Sequence, residues 1–172
     1  MPVTLDDLNA LDRDAFVAVV GPVFEHSPWI AARTWPARPF ASREALHAAL
    51  CGTVEAASRE EQLGLIRAHP DLVGRAARAG TLTAASTREQ AGAGLGALSP
   101  EEVTLFDLYN AAYHARFGFP FVICARENKK DAILSAFPVR LAHTAEEEVA
   151  TALAEIAKIA WYRLADLVAD EP

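Results

Sequence analysis

One histidine in this sequence has the neighbours expected of a proton donor. His69 is followed directly by Pro70. Proline cannot continue a helix and favours extended backbone at the residue before it, so the imidazole is predicted to sit at a rigid corner at the end of a helix. The carbonyl end of that helix favours the protonated ring, which suits a proton donor. The ordinary alternative is a histidine that only caps or packs.

Two further side chains, the carboxylate of Glu89 and the guanidinium of Arg163, could act together with a proton donor at His69. Ser86 and Glu89 have the spacing of a helix capping box, in which backbone N–H groups keep the carboxylate ionised and available as an acceptor. A purely structural cap is the alternative. Arg163 falls within the apolar stripe of the last helix, where its planar fork could hold a carboxylate or a urea-like carbonyl. Alternatively, its aliphatic stem covers apolar surface and its head reaches solvent.

Two further features indicate a polar cavity. Asn110 lies among apolar residues on one helix face, where a buried amide bridges neighbouring backbone or helps to shape a pocket. After Phe117, Gly118 can stop the helix and Pro120 enforces extended backbone. The amide groups of such a segment need partners, which a planar heterocycle rich in amides could supply. A hydrophobic crossover loop is the alternative.

The elements that position these residues are predicted to be helices. Capping residues recur at Ser27, Ser42, Ser58, Ser86, Ser99 and Thr144, alternating strand patterns are missing, and alanine is abundant. The sequence therefore predicts an all-α fold, a single-domain bundle over residues 1–172 of about eight or nine helices with short turns. These helices are expected near 12–20, 28–35, 43–56, 59–68, 71–79, 87–95, 100–117, 129–137 and 145–169, with Asp71 capping the fifth.

Composition and charge exclude several classes of protein. The 172 residues are 52% hydrophobic and carry a net charge of -7 without any basic cluster, which argues against nucleic acid as a partner. The longest apolar stretches, 16–24 and 117–125, are too short to cross a membrane. No secretory signal is visible, and the terminal 170–172 is no peroxisomal signal, so we expect a cytoplasmic protein.

Other kinds of chemistry find little support in the sequence. The five histidines are far apart and form no metal-binding motif, so no metal is expected. Gly92, Gly94 and Gly96 follow no strand and therefore are not a dinucleotide fingerprint. Cys51 and Cys124 lie among apolar residues and are expected to fill core space rather than to form a disulfide or act as nucleophiles.

Taken together, these motifs resemble one family, the OHCU decarboxylases, which act on 2-oxo-4-hydroxy-4-carboxy-5-ureidoimidazoline. The resemblance follows the family's order along nearly the whole chain, from the motif at 25–29 to Arg163-Leu164. The residues that carry it are Glu25-His26-Ser27-Pro28-Trp29, His69-Pro70-Asp71-Leu72, Ser86 with Glu89-Gln90, Asn110 with Tyr113, Phe117-Gly118-Phe119-Pro120-Phe121, Arg140-Leu141 and Glu147.

This resemblance implies a function and a set of site residues. The expected reaction is decarboxylation to (S)-allantoin in urate breakdown, by an all-helical homodimer that uses no metal or organic cofactor. His69 matches the family's catalytic histidine, Glu89 its catalytic carboxylate and Arg163 its active-site arginine. All three are expected to line one small cavity. The matching substrate-contacting positions are Pro70, Ser86, Thr87, Arg88, Gln90, Phe121, Val122, Ile123, Cys124 and Ala125.

Two other classes of function remain open from the sequence. One is a helical module that binds ureides or other purine degradation products without turning them over. The other is a regulatory domain that binds protein partners, which would expose an apolar groove.

Overall fold

The computed structural model describes residues 2–169, except for the side chains of Arg75 and Ala76. The prediction about 170–172 lies outside these residues. Within them there is no strand, only an isolated bridge between Val3 and Val168, so the all-α prediction is confirmed. The helices are α1 (Leu5–Ala10), α2 (Arg13–Val20), α3 (Trp29–Thr34), α4 (Arg43–Ala56), α5 (Arg59–Arg67), α6 (Arg75–Ala79), α7 (Ala84–Gly92), α8 (Pro100–Phe117), α9 (Lys130–Leu141) and α10 (Ala145–Leu167), with short 3-10 turns at Gly21–Val23 and Trp35–Ala37.

The chain divides into two compact units, each with its own buried core. The first unit comprises Met1–Ala68 and Ala157–Pro172, and the second comprises His69–Ile156. Large buried side chains of the first unit include Leu8, Phe16, Ile30, Leu46 and Ile66. Those of the second include Phe106, Tyr113, Phe121, Ile133 and Phe137. The single domain predicted over 1–172 remains a prediction.

Four of the predicted capping residues start helices as expected. The Ser42 side chain accepts a hydrogen bond from Ala45 N at 3.0 Å, and α4 has the predicted bounds. Ser58 forms a full capping box with Glu61, as does Ser99 with Glu102. Thr144 Oγ1 accepts from Glu147 N at 3.2 Å while Glu147 Oε2 accepts from Thr144 N at 2.9 Å.

Two predicted caps are wrong. Ser27 does not cap α3, because its hydroxyl donates to Glu25 O at 2.8 Å. Ser86 does not start α7, because the helix begins at Ala84 and Thr83 Oγ1 accepts from Ser86 N at 3.2 Å. Thr83 is an equally good cap and lies earlier in the chain. Glu89 therefore lies within the helix and not in a capping box.

Three other helix predictions were also inaccurate. The helix expected from 71 begins at Arg75, and Asp71 pairs with His114 instead of capping it. The short helix α1 was missed altogether. α9 continues beyond 137 through Pro138 to Leu141. Pro138 is exposed, so the carbonyl that its ring leaves unpaired can reach water, while burial of Arg140 keeps the last turn in place.

Candidate active site

His69 sits at the corner that the sequence predicts. α5 ends at Arg67, Ala68 caps it with helical backbone, and its N–H donates to Gly64 O at 3.0 Å. His69 follows outside the helix and is buried. His69 thus directly follows the last carbonyl groups of α5, which have no partner within the helix.

The turn after His69 is held by side chains from three other elements. Val73, at its centre, adopts left-handed backbone with φ of 57°, which is costly for a β-branched residue. The contacts are Asp71 Oδ1 with His114 Nε2 at 2.7 Å, Asn110 Nδ2 to Leu72 O at 2.9 Å, Val73 N to Gln90 Oε1 at 3.2 Å and Arg78 Nε to Val73 O at 3.2 Å. Asn110 thus bridges backbone, the ordinary role considered for it, although its Oδ1 is buried without a hydrogen-bond partner.

The predicted contact segment on α7 is only partly buried. Ser86 and Gln90 are buried, Glu89 is half-buried, and Thr87 and Arg88 are exposed. Beside α7 the second unit contains a cavity of about 440 Å³. Its walls are mainly apolar, with Thr87, Gln90 and Arg78 as polar members and Val73 from the turn.

The segment Phe121–Ala125 is non-helical and entirely buried, as the predicted break after Phe117 requires. Gly118 ends α8 in left-handed backbone with φ of 75°. Buried ionic side chains then hold the segment's main chain. Arg140 Nη1 donates to Val122 O, and Glu155 Oε1 accepts from Cys124 N at 3.2 Å.

Arg140 belongs to a buried polar network beneath this segment. Its Nε donates to Glu148 Oε1 at 2.8 Å, and Glu148 is fully buried. Tyr113 Oη donates to the same oxygen, while His143 Nδ1 lies 2.8 Å from Glu148 Oε2. Burial, followed by the hydrogen bond to Glu148, raises the pKa of Tyr113 well above its usual range, so the phenol remains a donor. The network therefore gives Val122 a fixed support.

Arg163 belongs to the first unit and turns inward there. Its guanidinium is buried, with Nη2 donating to Glu25 Oε1 at 2.8 Å and Nη1 to Val23 O at 3.4 Å. The alternative in which its head reaches solvent is therefore wrong. The neighbouring His26 is exposed, and its Nε2 lies 3.8 Å from Glu25 Oε2.

The second unit thus contains His69, the α7 positions and the segment Phe121–Ala125, whereas Arg163 belongs to the first. Sequence reasoning missed the buried carboxylates Glu148 and Glu155. Their spacing was the available signal, because residues seven apart on a helix share a face, and both directly precede residues of the predicted apolar stripe.

Cys124 is buried, as expected of a core residue, whereas Cys51 is only half-buried. Both are free thiols, and burial raises the pKa of Cys124 and, together with Glu55, that of Cys51 to about 11. Both sulfurs therefore stay protonated and poorly nucleophilic at neutral pH. In the part of the chain that the structure describes, no three histidine, cysteine or acidic side chains are grouped as metal ligands, and no helix is long and apolar enough to span a bilayer.

Comparison of the sequence with known protein families shows which family it belongs to. The model of the family described as OHCU decarboxylase matches residues 9–165. The chain belongs to the OHCU decarboxylase family.

Relatives of this family match nearly the whole chain. The chain is 44% identical over 169 residues to the 2-oxo-4-hydroxy-4-carboxy-5-ureidoimidazoline decarboxylase of Haloferax volcanii, covering 98% of both proteins. It is 42% identical to a putative decarboxylase of the same name from Homo sapiens, covering 98% of this chain and 97% of that protein. Among solved structures, (S)-allantoin synthase superposes with a TM-score of 0.78 at 29% identity, covering 98% of this chain and 54% of the other.

Proposed function

We propose that this protein decarboxylates 2-oxo-4-hydroxy-4-carboxy-5-ureidoimidazoline to (S)-allantoin in urate degradation. The family match over 9–165 carries this conclusion, and a decarboxylase of that name shares 44% of its residues with the chain. The reaction breaks one carbon–carbon bond and releases carbon dioxide. The hydroxyl on that carbon loses its proton and becomes a carbonyl, and a proton adds to the neighbouring carbon, which bears the ureido group.

The substrate itself can accept the electron pair that decarboxylation releases. Its ring imine adjoins the carbon that loses carbon dioxide, so the pair moves onto the imine nitrogen. The nitrogen then takes a proton and leaves an enol, which loses its hydroxyl proton and gains a proton at the carbon that bears the ureido group, giving allantoin. We therefore propose a reaction without metal or organic cofactor, in which the protein orients the substrate and controls the proton.

Three side chains are assigned distinct roles in this proposal. Arg163 orients the anionic substrate, Glu89 accepts a hydrogen bond or proton from the ring hydroxyl, and His69 protonates one face of the intermediate. The buried position of His69 after α5 supports its role, because a ring held at a rigid corner delivers its proton from one direction. Partial burial of Glu89 strengthens any hydrogen bond that it accepts.

The remaining substrate contacts are proposed to come from side chains around His69 and from main-chain groups. Pro70, Ser86 and Gln90 are buried or half-buried, in keeping with such contacts. Thr87 and Arg88 are exposed and would contact the substrate only at its edge. The segment Phe121–Ala125 would hold the ureido and amide groups through main-chain atoms other than Cys124 N, which Glu155 already engages.

A urate-coupled assay tests the reaction. Urate is oxidised and hydrolysed enzymatically, and carbon dioxide release and circular dichroism are followed with and without this protein. We expect faster release and optically pure (S)-allantoin, because spontaneous decay gives racemic product. Racemic product at the spontaneous rate, with substrate still bound, would instead support the ureide-binding module.

His69→Gln tests the assignment of the proton donor in the same assay. We expect it to lower kcat by about 100-fold or more, since a positioned acid or base contributes about 10²- to 10⁴-fold. Near-normal production of optically pure allantoin by this variant would show that His69 has been assigned the wrong role.

We also propose that the protein is a cytoplasmic homodimer. Support for the dimer comes from the second unit, where α8 and α9 pack together and expose large apolar side chains. Leu108 is 63% exposed and Val139 is 61% exposed, and a second subunit that covered them would remove apolar surface from water. Subcellular fractionation would test the location.

A further inference from the structure

The turn that follows His69 does not hold its conformation by local preference. Val73 has a φ of 57°, and a non-glycine residue stays in that strained region only where its surroundings impose it. Gly74 makes the turn so tight that a Cβ atom there would lie 2.7 Å from Asp71 Cβ. Contacts from elsewhere in the second unit must therefore impose this shape.

Packing supplies only part of that constraint. Leu72 and Val73 are buried, but Val73 also lines the cavity of about 440 Å³. A side chain that faces a void has fewer neighbours to fix its position. Hydrogen bonds to the main chain of Leu72 and Val73 must therefore carry much of the positioning.

Asn110 contacts the main chain three residues after His69. Its Nδ2 donates to Leu72 O at 2.9 Å, and the residue is only 6% exposed. Its Oδ1 is buried without a hydrogen-bond partner, which lowers stability. An apolar residue of similar size would avoid that cost but would leave Leu72 O without this donor, so the contribution of Asn110 is its contact with the turn.

We propose that Asn110 is a positioning residue that fixes the turn after His69, and thereby the direction from which the imidazole delivers its proton. Gln90 assists from α7, because its Oε1 accepts from Val73 N at 3.2 Å. Both act through the backbone of residues 72 and 73. This inference rests on the proposed role of His69.

Asn110→Leu is the direct test, and Thr104→Val is its matched control. Thr104 lies on the same helix and loses one hydrogen bond, from Oγ1 to Pro100 O at 3.0 Å, in an exposed position. We expect Asn110→Leu to lower kcat by about 10- to 100-fold with KM changed less than about twofold, because small misplacement of a reacting group has effects of that size. The product should also lose optical purity. Thr104→Val should match the wild type.

The NMR resonances of the His69 imidazole give a readout independent of activity. They are assigned by their loss in His69→Gln, and we expect them to shift or broaden in Asn110→Leu but not in Thr104→Val. Wild-type kcat, optical purity and His69 resonances in Asn110→Leu would together overturn the inference. If the wild-type protein has no decarboxylase activity, the proposed function fails, and the NMR comparison still decides whether Asn110 positions the ring.

A pair of variants at Gln90 decides the question if Asn110→Leu does not fold. Gln90→Glu keeps an acceptor for the Val73 N–H group, whereas Gln90→Leu removes it. We expect Gln90→Leu to have a kcat about tenfold below that of Gln90→Glu. Equal kcat values for the two variants would contradict positioning through the turn.

Discussion

Arg163 and Glu25 form an ion pair that solvent scarcely reaches. The oxygen and nitrogen are 2.8 Å apart, and both side chains are buried within the first unit. A charge removed from water is tolerable there only while its partner remains, so each residue depends strongly on the other. In the proposed reaction, this pairing also keeps the guanidinium in a single orientation.

Removing one charge of this pair is expected to destabilise the protein. Glu25→Gln and Arg163→Met should each lower the free energy of unfolding by about 3 kcal/mol, because each leaves an uncompensated buried charge or a lost charge-assisted hydrogen bond. The double variant should be more stable than the sum of the two losses predicts, by at least about 1 kcal/mol. Urea denaturation of the four proteins measures this coupling.

The exposed pair Arg33 and Glu61 is the control for that cycle. The hydrogen bond from Arg33 lowers the pKa of Glu61 to about 2, yet both side chains contact water. Solvent screens such pairs, so the coupling between Arg33→Met and Glu61→Gln should be smaller than that of the buried pair. Equal coupling in the two cycles would contradict the importance assigned to burial.

At the scale of elements, the segment Phe121–Ala125 depends on helices α8, α9 and α10 for its shape. Arg140 and Glu155 hold its main chain, and the Phe121 ring stacks on Phe137 with centroids 3.9 Å apart. A segment without helical hydrogen bonds needs such partners for its amide groups. Changes in the network around Glu148 should therefore reach the proposed substrate contacts.

Tyr113→Phe tests that network with the smallest possible change. It removes the hydroxyl that donates to Glu148, and we expect a loss of about 1–3 kcal/mol in unfolding free energy. Tyr109→Phe is the control. Tyr109 lies on the same helix and stacks on Phe137, but it is only half-buried. Its loss should stay within about 0.5 kcal/mol. Thermal and urea unfolding measure both variants. Equal losses of stability in Tyr113→Phe and Tyr109→Phe would contradict the role given to the Tyr113 hydroxyl.

The raised pKa of Tyr113 also predicts how the stability of the protein changes at alkaline pH. A group that holds its proton more tightly in the folded state stabilises the protein fully below its ordinary pKa of 10.0. That contribution is lost as pH rises towards the folded-state pKa. Wild-type stability should therefore fall more steeply above about pH 10 than that of Tyr113→Phe.

Helix positions were predictable from sequence wherever a single strong signal marked each end. α4 and α8 have the expected bounds because Ser42 and Ser99 cap them and no rival lies nearby. α7 was displaced because Thr83 competes with Ser86 for the cap. Choosing between two good caps requires the tertiary contacts of both, which local sequence does not contain.

The sequence predicted which residues form the candidate site better than it predicted which side chains they contact. The break after Phe117 and the corner at His69 follow from proline and glycine chemistry, which acts locally. Burial of Glu25, Glu148 and Glu155 depends instead on distant partners such as Arg140 and Arg163. A carboxylate on a helix is ordinarily exposed, so only those partners reveal its true environment.

At the scale of the whole molecule, the proposed homodimer gives a test through the apolar surface of α8 and α9. Leu108→Glu and Val139→Glu each place a charge where a second subunit would bury it, and light scattering with size-exclusion chromatography should report monomers. Ala18→Glu, on the exposed side of α2, is the control and should remain dimeric. A wild-type monomer, or dimers in all three variants, would contradict this interface.

The raised thiol pKa values have a practical consequence for such measurements. With the pKa of Cys51 at about 11 and that of Cys124 raised by burial, only about one Cys51 sulfur in ten thousand is ionised at neutral pH. Maleimide dyes attack the thiolate, so the native protein should label slowly. A cysteine introduced at an exposed position would carry a fluorophore selectively, and subunit exchange or movement near His69 could then be followed without first deleting either natural sulfur.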